Sequence, residues 1–220
     1  MRDNKAISSI AALVALGSIL TLGFYASGGF RPHLDPVPPH AVGRVLAAQT
    51  LSLLKPGGSL TVITRDTATF QNPASDILLD SLRNALTKAG VKIDSLQTLQ
   101  IDPLRPVAVP PGDFFQWIKN ATKGSVIVSL MGPPLLTDAQ LAQLGEVKPA
   151  IVAFCSGPVR DQVDLRSLFS RGLLQAAVVN KREAASKSGA HLSEREVFDR
   201  QFVEVTPANL ASLSTASNSP

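Results

Sequence analysis

The 220-residue chain carries 21 Lys and Arg against 17 Asp and Glu, a net charge of +4 spread without a basic block, and only 5% aromatic residues. That distribution excludes a nucleic-acid partner that would need a cationic stripe with interleaved stacking rings. A single cysteine, Cys155, excludes an internal disulfide and a thiolate-rich metal cluster. His33, His40 and His191 fall in or near predicted loops without ligand spacing, so no metal and no cofactor is expected.

Ala6 to Tyr25 holds no charged residue, and about twenty residues at 1.5 Å per residue span about 30 Å, the hydrocarbon thickness of a bilayer. Two cations against one anion precede this run, which places the N-terminus in the cytoplasm and the rest outside. The expectation is a single-pass membrane anchor over residues 1–26, with an uncleaved or cleaved signal peptide as its rival at Ala26-Ser27-Gly28. The 27–40 stretch, with Gly28, Gly29, Pro32, Pro36, Pro38 and Pro39, reads as a linker too rich in proline and glycine to form a helix. Residues 41–211 read as one α/β domain, since roughly 180 residues suffice for one core and hardly for two. Residues 212–220 read as a disordered tail of small polar residues.

Within the domain, Ala41 to Leu54 predicts a lead-in helix that stops at Lys55-Pro56-Gly57-Gly58. Ser59 to Thr64 is β-branched and apolar on both sides, as a buried parallel strand is. Asn72 before Pro73 predicts a capped helix to Gly90, followed by a half-exposed strand over Val91 to Ile101 and a proline loop over Pro103 to Pro111. Asp113 is expected to cap a helix through Asn120; Ser125 to Leu130 is the third strand. Thr137 with Gln140 predicts a capping box, Ala150 to Phe154 a fourth strand, Asp161 or Asp164 a further helix start, and Leu174 to Val179 a fifth strand. Ser193 with Glu196 predicts another capping box before an additional edge strand at Phe202 to Thr206. The alternation implies right-handed crossovers and a doubly wound, mainly parallel five-stranded sheet covered on both faces.

In such a sheet ligands lie outside the carboxyl ends of the strands, where the strand order reverses. The residues there predict a ligand-binding set of Arg65, Asp66, Thr67, Met131, Gly132, Ser156 and Asn180. No catalytic residue is assigned. Cys155-Ser-Gly-Pro-Val-Arg160 follows a strand as a phosphatase loop does, but its Cys-to-Arg spacing is one residue short of that pattern, and Ala153 stands where a hydrolase elbow needs glycine. Neither G-x-G-x-x-G nor a P-loop occurs.

Thr61-Val-Ile-Thr64, Phe70-Gln-Asn-Pro73, the helix to Gly90 and the strand from Val91 to Ile93 resemble the opening of the N-terminal lobe of type I periplasmic binding proteins. Trp117-Ile118, Val126-Ile-Val128 and Pro149-Ala-Ile-Val152 fall where that lobe has its second helix and next two strands, a pattern shared with flavodoxin-like folds. Together with the apolar N-terminal run, the resemblance implies a membrane-anchored, envelope-facing, non-enzymatic binding or interaction module. Two other readings stay open: a hydrolase or transferase using the strand-end loops, and a scaffold subunit of a membrane complex. The expected partners are the membrane, through the N-terminal helix, and a protein or a second copy of the chain over the strand ends.

Overall fold

The computed structural model describes residues 17–19, 21–22, 34–68, 71–100, 109–145, 148–157, 163–181 and 192–210. The chain divides into two units, Met1–Asp35 and Pro36–Pro220. In the first, Gly17 to Ile19 and Thr21 to Leu22 are helical, with Ile19 and Leu22 exposed. Most of the expected anchor lies outside the described residues, as do the 212–220 tail, His33 and His191; among the described residues no helix is long and apolar enough to cross a membrane.

The second unit runs α1 (Val37–Leu53), β1 (Leu60–Arg65), α2 (Pro73–Lys88), β2 (Ser95–Leu99), α3 (Pro111–Asn120), β3 (Val126–Ser129), α4 (Asp138–Ala142), β4 (Ala150–Cys155), α5 (Leu165–Ser170), β5 (Ala176–Asn180), α6 (Glu194–Gln201) and β6 (Phe202–Val205). The sheet order is β2-β1-β3-β4-β5-β6, parallel except for the antiparallel β5–β6 pair. Six strands therefore replace the five of the main prediction, the sixth being the expected C-terminal edge strand. β2 is shorter than Val91 to Ile101, because Asp94 Oδ2 accepts the Leu60 amide at 2.7 Å and the ladder begins only at Ser95.

The period of two along each strand sorts the core into two layers. Leu60, Val62, Val126, Val128, Val152 and Val178 join Leu46, Leu82 and Phe198 under α1, α2 and α6. Ile63, Ile127, Ile151, Ala153, Cys155 and Val179 join Phe114, Ile118 and Phe169 under α3 and α5. α1 lies close against α2 at Gly43, where a Cβ would stand 2.6 Å from the Leu78 carbonyl oxygen and 2.7 Å from Ser81 Cβ.

Two local expectations are corrected. The helix α1 starts at Val37, inside the stretch read as a linker, because Pro38 and Pro39 occupy its first turn, where no intrahelical N–H is needed and a fixed φ is favourable. His40, expected in a loop, therefore sits in that first turn with Nδ1 3.1 Å from Glu194 Oε1, and Arg44 reaches Glu194 Oε2 at 2.9 Å. Likewise α3 opens at Pro111 with Pro110 as its N-cap and no side-chain cap, so Asp113 is a first-turn anion rather than the cap. Asn72, Thr137, Asp164 and Ser193 do cap their helices, the second and fourth as full capping boxes.

Candidate functional site

The chain leaves β1 toward β2 on one side and comes back through α3 to β3 on the other, so the strand order reverses between β1 and β3. A half-open cleft of about 410 Å³ lies at the carboxyl ends of these strands, within the usual size range of small-ligand pockets. Its floor comes from Thr64 and Arg65 at the end of β1 and from Leu130, Met131 and Gly132 after β3. Gly132 is turned to φ 97°, a left-handed conformation that a side chain would strain.

One wall is built by helix starts. Pro38, Pro39 and Val42 from α1 and Asn72, Ala74, Ser75 and Leu78 from α2 all line it, so both helices begin at this edge and run back beneath the sheet. Asn72 Oδ1 accepts the Ser75 amide at 3.1 Å, while the Ala74 amide has no intrahelical acceptor by geometry. The opposite wall is apolar: Phe154 of β4 and Phe202 of β6 meet edge to face at 6.0 Å, and Phe202 stacks on Phe198 at 5.7 Å. Ser156, Gly157 and Asn180 close the rim.

Of the seven residues predicted from the sequence, Arg65, Met131, Gly132, Ser156 and Asn180 line this cleft together. Asp66 and Thr67 do not. Asp66 turns into its own loop, its Oδ1 accepting the Ala68 amide at 2.9 Å, and Thr67 donates to Asp76 Oδ1 at 2.8 Å. Pro38, Pro39, Val42, Leu78 and Phe202 had no signal at the strand ends, whereas Phe154 closes the predicted fourth strand and reads there as core. Only the Asn72-Pro73 helix start, which must follow a carboxyl edge in a βα unit, could have added Asn72, Ala74 and Ser75.

Arg65 is half-buried at the base of the cleft, and its Nε is buried without a hydrogen-bond partner among the described residues. Cys155 lies on the other layer, fully buried, and burial pushes its thiol from the ordinary 9.0 to about 12. It is a packed thiol with no thiolate at neutral pH. No group of three or more potential metal ligands occurs among the described residues.

No protein-family model matches the chain, and no curated protein is similar in sequence. Solved structures do match in fold. A solute-binding protein from Burkholderia graminis in complex with D-arabinose is 18% identical with a TM-score of 0.51, over 79% of this chain and 61% of that one. A periplasmic ribose ABC transporter protein from Conexibacter woesei gives 12%, 0.51, 80% and 60%. The Caulobacter myo-inositol binding protein bound to myo-inositol gives 20%, 0.50, 83% and 62%. The chain thus spans about three-fifths of the structures it matches. The shared architecture is that of periplasmic sugar-binding proteins, and the domain resembles a single lobe of that type I fold.

Proposed function

We propose that the domain is a non-enzymatic, extracytoplasmic binding module that takes a small solute in the strand-end cleft, tethered to the membrane by the apolar N-terminal run. The observation that carries this reading is the cleft itself, which stands at the β1/β3 switch point and gathers Arg65, Met131, Gly132, Ser156 and Asn180. The fold supports it, since the matched proteins hold D-arabinose or myo-inositol. The inert state of Cys155 weighs against the hydrolase or transferase reading.

A lone lobe leaves one side of the solute in water, so part of the apolar contribution of about 25 cal/mol per Å² is forgone. Affinities in the millimolar to high micromolar range are expected, about 4 to 6 kcal/mol. A partner chain or a second copy docked over the same strand ends would supply the missing wall. Calorimetry of the purified chain against a metabolite panel tests the reading: weak saturable binding supports it, and no binding at any concentration removes it. Cell fractionation tests the tether, with release of a mature protein beginning near Gly29 counting against it.

A further inference from the structure

We infer that the cleft selects a small monocarboxylate with an apolar body over a neutral sugar, an inference that rests on the cleft being a binding site as proposed above. Arg65 is the one charged side chain among the described residues that line it, and none of those residues is a carboxylate. The neighbouring acids are engaged elsewhere: Asp66 Oδ1 with the Ala68 amide and Asp76 Oδ1 with the Thr67 hydroxyl. Among the described residues no ion pair to Arg65 occurs and its buried Nε meets no acceptor. A guanidinium edge offers two parallel donors, Nε–H and Nη–H, and the group that satisfies both at once is the pair of oxygens of a carboxylate.

Two further features act in the same direction. α1 and α2, of 17 and 16 residues, both begin on the cleft, and the first turn of α1 carries no acid. The positive end of α1 adds to the field of Arg65 through its dipole and not through amides, since Pro38 and Pro39 carry none, whereas Asp76 in the first turn of α2 offsets the end of that helix. Val42, Leu78, Leu130, Met131, Phe154 and Phe202 meanwhile form an apolar wall suited to an aliphatic or aromatic body, while the side-chain oxygens of the cleft come from Thr64, Asn72, Ser75, Ser156 and Asn180. A single cation balances a single charge. A phosphate dianion would leave its second charge against those apolar walls, which is costly.

The test is calorimetry on the whole chain with matched probes: benzoate against benzamide, and 4-methylpentanoate against its amide, with D-arabinose and myo-inositol as neutral polyols. The expected result is that each acid binds at least about tenfold more tightly than its amide, that the preference weakens as salt is raised, and that Arg65→Met removes it without lowering the melting temperature. Amides that match their acids, or polyols that bind where the acids do not, overturn the inference and leave the binding reading standing. No binding of any probe up to about 10 mM, equivalent to less than 3 kcal/mol, removes both. An acid preference that survives Arg65→Met overturns the role given to Arg65. The acid-to-amide comparison on the unaltered chain decides the question even if that variant fails to fold.

Discussion

The two ends of the sheet treat their polar groups in opposite ways. At the amino edge they satisfy one another. Ser125 Oγ accepts the Ser59 amide at 3.0 Å and lies 3.0 Å from Ser59 Oγ and 2.8 Å from Thr122 Oγ1, while the Lys55 amide donates to the Gly124 carbonyl at 3.1 Å. Gly58 approaches so closely that a Cβ would stand 2.2 Å from the Gly124 oxygen. At the carboxyl edge two helices open on proline, and Arg65 keeps a buried donor without a described partner. The closed end holds the fold, and the open end is where the proposed binding groups stand on that scaffold.

The other layer is probed by Cys155. It ends β4 at the carboxyl edge but faces the α3 and α5 layer. Labelling by a neutral-pH thiol reagent should therefore be slower than that of a free thiol by at least about a thousandfold, since it must wait for opening of the fold. Fast labelling in the folded state would show that the second layer is open as well. Because its folded pKa is raised, Cys155 should also make stability fall as pH rises from the ordinary 9.0 toward about 12, where only the unfolded thiol ionises. A Cys155→Ala variant should lose that alkaline decline in thermal melts.

Substitutions at the two ends should differ in size. Gly58→Ala drives a Cβ into backbone and should cost about 3 kcal/mol in denaturant unfolding; a cost near zero would mean that the amino edge is loosely held. Ser125→Ala, which orphans the Ser59 amide and disturbs two hydroxyls, should cost about 1 to 2 kcal/mol. At the open end, Arg65→Met should change the stability of the unliganded chain by no more than about 0.5 kcal/mol, because no described hydrogen bond or ion pair is lost. The smallest effect is expected at α6. There the Ser193 hydroxyl and amide hold the fully exposed Glu196 carboxylate below its usual range, so its contribution is present above that range and fades as pH falls through the lowered value. Glu196→Gln, followed by helix content against pH, should abolish that acid-side change.

Much of this architecture was legible without coordinates because its signals are local. β-branched runs spaced by amphipathic stretches announce buried parallel strands and their crossover helices. Asn72-Pro73, Thr137 with Gln140 and Ser193 with Glu196 mark helix starts because each side chain reaches an amide only three residues away. The same alternation names the carboxyl edge, and with it Arg65, Met131, Gly132, Ser156 and Asn180. Tertiary structure alone decided what those residues face. Phe154 and Phe202 come from strands separated by β5 in the sheet, and a strand sequence carries no sign of which distant ring will pack on it. Whether a proline-rich stretch becomes a spacer or the first turn of a helix depends on what that helix can bury itself against. Here the close approach of Gly43 to Leu78 and Ser81 and the bond from Ser81 Oγ to the His40 carbonyl at 2.7 Å draw Val37–Leu53 onto α2, and so bring Pro38 and Pro39 to the cleft.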